Sequence, residues 1–300
     1  MRTISGGKLY GLPVSNITMA LYYNKDIFDK FGVPYPKDGM TWDELVELSH
    51  RVTRVDSGKQ YVGLGVSPAH ILRLNPFSLP FVDPKTEKAT INDNGWKLIF
   101  EYGFIKPAEV SGYRDKIRAL GNKLPAANNF IKEKDLAMYY ALSNIFSNSD
   151  TGDELAAMNW DMAAVPMFKE KPGVGAQLYP VYFSVTSLSK HKDAAMEVIK
   201  YLTSDEYQMM NSKLGIISVL KSKEINDAFG QETRFKDKNL KSIFFYNKFA
   251  PISPKTPYDA KAESIYRQDL TDLAMGAIDI NTAFRKAEEA TNKAIEEAKK

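Results

Sequence analysis

No cysteine occurs among the 300 residues. That single absence removes disulfide staples, thiolate zinc sites, iron–sulfur clusters and cysteine nucleophiles together, so packing alone has to hold the fold. The chain has the material for it. Hydrophobic residues make up 44% and charged residues 26%, a globular composition rather than a disordered or collagen-like one. The length suits two lobes at roughly 100 to 200 residues per domain.

Charge is close to balance: 40 Lys and Arg against 37 Asp and Glu leave +3. No basic stripe is present to track phosphates, which argues against nucleic acid as a partner. No apolar run approaches the roughly 18 residues that span a bilayer. The opening Met1–Lys8 lacks the apolar segment of a signal peptide.

Short apolar runs closed by turn residues dominate the first part of the chain. Lys8–Val14 and Ile17–Tyr23 read as two strands, the second closed by Asn24-Lys25-Asp26, whose side chains turn the chain into a helix. Thr41-Trp42-Asp43-Glu44 is a capping-box pattern, followed by Leu45, Leu48 and Val52 at helical spacing, and predicts a helix over 42–54. Tyr61–Val66 reads as one strand inside a proline-marked stretch. Helical periodicity resumes at Trp96, Ile99 and Phe100, and Trp160–Pro166 reads as a buried strand.

Later, Tyr182–Leu188 alternates as a strand and Ala194–Leu202 is an amphipathic helix. Thr203–Glu206 looks like a second capping box, with a helix stopping near Gly215. Helices are expected over 222–229, 258–276 and 281–300, and no internal repeat is visible.

Signatures for chemistry are missing. Gly63-x-Gly65 and Gly173-x-Gly175 lack the glycine spacing of a nucleotide loop and read as plain loops. No Gly-x-Ser-x-Gly elbow or His-Glu-x-x-His occurs, and the three histidines, His50, His70 and His191, lie far apart. No catalytic residue, cofactor or metal site is therefore expected. Trp42, Met196, Met209 and Met210 read as packing residues.

Four segments, taken in order, resemble one family: the extracellular solute-binding proteins of ABC importers, family 1, the group that includes the maltose binder. Gly7–Pro13 followed by Leu21-Tyr22-Tyr23-Asn24-Lys25-Asp26-Ile27-Phe28 resembles the family's lobe-crossing strand and its tyrosine-asparagine-lysine-aspartate turn. Thr41-Trp42-Asp43-Glu44-Leu45 resembles the helix start that comes next. Phe130–Met138 resembles the approach to an alanine-methionine strand, with Asp135 where a small residue is usual. Ser189-Lys190, Ala194-Ala195, Leu202-Thr203-Ser204 and Gln208 resemble the return strand and its helices.

The resemblance implies an α/β, bilobal fold of the periplasmic-binding-protein type (type II), with lobe one incomplete at its N-terminus. It implies a crossing strand and remnant of lobe one over 1–15, lobe two over 16–160, a return to lobe one over 161–215 and a helical segment over 216–300 packing mainly on lobe two. An incomplete lobe is expected to expose apolar surface or sheet edges. The implied function is binding of a polar solute, a mono- or oligosaccharide, between the lobes, with delivery to ABC permease subunits. The implied setting is extracellular or periplasmic, with a lipid anchor outside this chain. A glycoside hydrolase or lyase, or a fragment that no longer binds, are the alternatives.

Carried over residue by residue, the resemblance places ligand contacts at Asn16 and Thr18 after the crossing strand. A structural hinge turn is the competing role for these two. His70 and Phe77 fall where relatives supply an aromatic stack. Asn144 and Phe146 match a further wall, with Asn144 standing where the maltose binder has tryptophan. Tyr182 on the return strand and Tyr258 in the late loop complete the set.

Overall fold

The apolar run Ile17–Tyr23 becomes the interior of a sheet covered on both faces. The computed structural model describes residues 10–246 and 248–300, with the backbone alone for 149 and 150. The part of the expected first strand over 8–9 lies outside the described residues.

In chain order the first elements are β1 (Leu12–Ile17), β2 (Met19–Asn24), α1 (Lys25–Phe31), α2 (Trp42–Val52), β3 (Arg54–Asp56), β4 (Lys59–Val66) and α3 (Pro68–Arg73). They are followed by α4 (Asn94–Phe100), α5 (Ser111–Ala119), α6 (Ala127–Ile131), β5 (Leu136–Leu142), α7 (Ser149–Ala156), β6 (Trp160–Ala163), β7 (Gly175–Gln177) and β8 (Tyr179–Phe183). The remainder is α8 (Lys192–Leu202), α9 (Asp205–Lys213), α10 (Lys223–Asp227), β9 (Phe249–Ala250), α11 (Asp259–Tyr266), α12 (Leu270–Met275) and α13 (Ile280–Ala298).

A five-stranded sheet runs in the order β3-β4-β5-β2-β6. β4 and β5 are parallel, and β2 is antiparallel to both β5 and β6. Every residue of β2 is buried. Its pleat sends Met19, Leu21 and Tyr23 into one core and Ala20 and Tyr22 into the other, which is why the strand reads as a continuous apolar run and not as an alternation. The first core is closed by Trp42, Trp96, Phe100, Tyr266 and Phe284, so α11 to α13 pack on the same side as α2 and α4. Trp160, Phe229, Phe235 and Leu240 help close the second core.

Several local expectations hold in atomic detail. The Thr41 hydroxyl accepts the Glu44 N–H at 3.3 Å while Glu44 takes the Thr41 N–H at 2.7 Å, the reciprocal bonds of a capping box. Trp42 is buried, with ring centroids 5.4 Å from both Tyr140 and Phe168. Asn24 caps α1 by accepting the Asp26 N–H at 3.0 Å.

Others change. Gly63 and Gly65 stand inside β4, as the strand expected over Tyr61–Val66 requires, and not in a loop. A Cβ on Gly63 would sit 2.1 Å from the Ser49 carbonyl oxygen, so the glycine lets α2 lie directly against the strand. The proline-marked stretch holds a helix, α3, with Pro68 at its first turn, where no backbone donor is needed. The return strand β8 runs over Tyr179–Phe183 rather than 182–188. Thr203 ends α8, its hydroxyl bonding back to the Ile199 carbonyl at 3.1 Å, and Ser204 caps α9 instead. The segment 258–276 is two helices, not one. β6 pairs with β2 and Phe168 lies in the first core, so the chain stays with the five-stranded sheet beyond residue 161.

β1 and β8 form a separate antiparallel ladder that leads away from that sheet. Around it Phe183, Leu188, Met196, Val198 and Tyr201 are exposed.

Candidate functional site

The ladder meets the five-stranded sheet where β4 and β5 end and β2 begins. Asn16 pairs with Pro180 and Ile17 with Tyr179. On its other side Asn16 donates its main-chain N–H to the Ile217 carbonyl at 2.9 Å and its side-chain amide to the Ser218 carbonyl at 2.8 Å. Asn16 thus fastens the ladder to the 217–218 segment whatever else it touches.

Thr18 is buried, 1% exposed. Its hydroxyl donates to the Gln177 carbonyl at 3.0 Å, its N–H to the Ser143 hydroxyl at 3.1 Å, and its carbonyl accepts the Ser143 N–H at 2.8 Å. Expected as a ligand contact, Thr18 is placed instead as a fastener at the junction, its polar atoms already engaged.

Gln177 is the other half of that junction. Its side-chain amide donates to the Asn75 carbonyl at 2.7 Å, its side-chain oxygen accepts the Ser253 N–H at 2.8 Å and its own N–H reaches the Leu74 carbonyl at 3.0 Å. One buried glutamine therefore ties the crossing strands to the end of α3 and to the loop before α11. Buried amides with every group satisfied make such a junction specific.

Two cavities flank the ladder. The larger, about 490 Å³, lies beside β8, with Tyr179, Pro180 and Tyr182 on one wall, Arg73 and Leu74 from α3 on another, and Ile252, Lys255, Asp259 and Glu263 on a third. Its charges are partly matched. Arg73 pairs through Nε with Glu263 Oε2, and Arg267 Nε lies 3.1 Å from Glu263 Oε1. Lys255 donates to the Ser253 hydroxyl at 2.9 Å and stands 4.0 Å from Asp259 Oδ2. Burial, the largest cause, lowers the basicity of Lys255, opposed by the neighbouring Asp259. Burial also pushes the Tyr182 phenol up, keeping it a neutral donor and acceptor.

The smaller cavity, about 270 Å³, is lined by Ser15, Asn16, Ser143, Asn144 and Ser147 together with Gly215–Ile217. It carries amides and hydroxyls and no charged side chain.

Of the expected contacts, Tyr182 lines the larger cavity while Asn16 and Asn144 share the smaller one. His70 lies on α3 one turn before Arg73, with Nδ1 2.6 Å from the Ser67 hydroxyl. Tyr258 sits half-buried at the start of α11, packed on the first core next to Asp259. Phe77 packs on the same core, its ring 4.9 Å from that of Phe168. Phe146 is not a cleft wall. It is 3% exposed, lies edge-on to Phe229 and Phe235, and a Cβ on Gly215 would stand 2.6 Å from its ring. The family resemblance placed it in an aromatic wall, but the 216–244 segment folds over it.

Sequence reading missed Arg73, Gln177, Tyr179, Lys255, Asp259 and Glu263. Asp259 and Glu263 carried a signal, since a spacing of four residues puts them along one face of α11. Among the described residues no cluster of three or more His, Asp or Glu is placed to hold a metal, and no helix is long and apolar enough to cross a membrane.

Comparison with known proteins fits this geometry. Residues 1–209 match the family model described as bacterial extracellular solute-binding protein. A Brucella abortus (strain 2308) chain described as a binding protein is 25% identical over 214 residues, 69% of this chain and 49% of that one, so the chain spans about half the length of the curated relatives it matches. Among solved structures, the sugar transporter RHE_PF00321 of Rhizobium etli, in an open conformation, superposes with TM-score 0.73 at 19% identity, over 97% of this chain and 74% of that one. The ABC substrate-binding protein Lmo0181 of Listeria monocytogenes, in complex with cycloalternan, superposes with TM-score 0.70 at 18% identity, over 96% and 72%. The fold is the α/β periplasmic-binding-protein fold, and with the family model matched over 209 of 300 residues, this chain belongs to the bacterial extracellular solute-binding protein family.

Proposed function

We propose that this chain binds a polar solute, a mono- or oligosaccharide, beside the β1–β8 ladder and presents it to the permease of an ABC importer outside the membrane, where a lipid anchor holds the protein. The role is capture and release, not catalysis. The observation that carries the reading is the cavity of about 490 Å³ beside β8. Its size lies within the range of small-molecule sites. Its tyrosines offer an apolar face for a sugar ring, and its ionic groups offer partners for hydroxyls. The neutral cavity of Ser15, Asn16, Ser143 and Asn144 adds a second set of hydroxyl partners across the ladder.

Binding at the ladder also couples to lobe movement. A solute that touches both the hinge strands and the α11 wall favours the arrangement in which both are in reach, and shifts the population toward it. Each satisfied hydroxyl contributes about 0.5–1.5 kcal/mol, and a buried partner left unpaired costs about 1–3 kcal/mol, so discrimination comes from the penalties.

The test is a titration of intrinsic fluorescence with a sugar panel, accompanied by product analysis over hours. The expected outcome is a saturable signal with the sugar recovered intact, weakened at least tenfold in Tyr182→Ala. Steady release of product would replace binding by turnover.

A further inference from the structure

We infer that the cavity between the 229–231 turn and the 236–241 segment is a site for a phosphate-type oxyanion, free or carried on a lipid headgroup, held by Lys236 and Lys241. It shares no lining residue with the two cavities at the ladder. The near balance of charge over the chain conceals one uneven stretch. Residues 213–248 carry eight Lys and Arg against four Asp and Glu, a net of +4 in a chain whose total is +3. In the fold part of that stretch encloses about 370 Å³, with Lys236, Lys238 and Lys241 in the lining and no carboxylate.

The floor of the cavity is fixed. Phe229 and Leu240 are buried in the second core, and Gly230 between them and the rim gives its N–H to the Ser212 carbonyl at 2.8 Å. Gly230 stands at φ +76°, and a Cβ there would fall 2.7 Å from Leu240 Cδ1, so a glycine is what lets the two segments close on each other.

The three cations differ in their partners. Lys238 lies 2.9 Å from Asp237 Oδ2 and is neutralised there. Lys241 donates to the main-chain carbonyl of Asp227 at 2.6 Å, an acceptor with no net charge that the Gln231 amide shares at 3.1 Å. The Asp227 carboxylate itself is taken by Lys223 at 2.5 Å. Lys236 is exposed, and among the described residues its side chain has no ion pair or hydrogen bond. Behind the cavity Asp161 and Asp38 accept the Asn239 N–H and side-chain amide at 2.7 and 3.0 Å, and neither lines it. Two ammonium groups are thus left at one opening without a carboxylate. A tetrahedral oxyanion offers several acceptor oxygens to both through charge-assisted hydrogen bonds, and Lys241 keeps two N–H groups for it. The volume lies in the small-molecule range, which leaves room for the group that carries the phosphate.

The experiment is equilibrium dialysis of the 300-residue chain against labelled inorganic phosphate at fixed low ionic strength. A parallel arm sediments the chain with vesicles of phosphatidylglycerol and phosphatidylcholine, against phosphatidylcholine alone. The expected result is saturable binding of one phosphate per chain, weakened at least tenfold in Lys236→Gln with Lys241→Gln and weakened as salt rises. Lys236→Gln alone breaks no pairing and is expected to weaken binding at least threefold. Lys221→Gln with Lys248→Gln removes the same charge from the same stretch outside the cavity and is expected to leave binding intact. Melting temperatures of the ligand-free variants show that they fold. Anionic-vesicle binding that phosphate displaces identifies a headgroup as the source, and phosphate binding without vesicle binding identifies the free ion. No phosphate binding by the parent, or equal losses in the two double variants, overturns the inference.

Discussion

Thr18 donates its hydroxyl hydrogen to the main-chain carbonyl of Gln177 at 3.0 Å, 159 residues further along the chain. Both residues are about 1% exposed, so the bond is shielded from water where β1 leaves the five-stranded sheet and β8 begins. Replacing Thr18→Val keeps the shape and leaves that carbonyl unpartnered. The expected loss is about 1–3 kcal/mol of stability, read from urea denaturation midpoints. An unchanged midpoint would show that the carbonyl finds another donor.

Gly63→Ala is expected to be more damaging than its single methyl suggests. The new Cβ would fall 2.1 Å from the Ser49 carbonyl oxygen and 2.4 Å from its Cα, both main-chain atoms of α2. The helix has to move off the sheet, and a cost of about 1–3 kcal/mol or more follows. Gly175→Ala, whose nearest neighbour would be 3.7 Å away, is the control, and similar melting temperatures for the two variants would contradict the packing argument.

Phe146 separates core from site. Phe146→Ala is expected to cost about 3–5 kcal/mol, because Phe229 and Phe235 lose the ring they pack against edge-on. Phe146→Leu should retain solute affinity. Weakened binding by a Leu variant of unchanged stability would return the residue to the cleft wall.

His70 gives stability a pH dependence of known sign. Burial, and then the nearby Arg73, hold its imidazole below its ordinary value, which is about 6.5. On acidification the unfolded chain takes up the proton first, so stability falls as pH drops from about 6.5 toward the lowered folded value. Melting temperatures from about pH 7.5 to about pH 5 should decline less steeply in His70→Gln than in the parent. Identical slopes would place the acid sensitivity elsewhere.

How far the sequence could be read differs between the frame and the site. The Thr41–Glu44 box, the Asn24 cap and the buried run of β2 announced themselves because their causes lie within a few residues of one another. Gly63 did not, because the atom that demands a glycine belongs to a helix ten or more residues away. Thr18 and Phe146 carried residue types suited to a sugar site, a hydroxyl and an aromatic plate. Their neighbours Gln177, Phe229 and Phe235 come from distant segments, and those neighbours take up the groups that looked free.

The chain by itself determined that packing must hold it without cross-links and that no nucleotide loop or hydrolase elbow was available, and its resemblance to a family implied an α/β fold. Only the tertiary structure decided which polar groups are engaged by neighbours and which line a cavity. Hydroxyls, amides and charges within hydrogen-bond reach cancel one another's need, and that reach is a property of three-dimensional neighbours. Thr18 has its polar atoms engaged at the junction. Lys255, with Asp259 at 4.0 Å, was left lining the larger cavity.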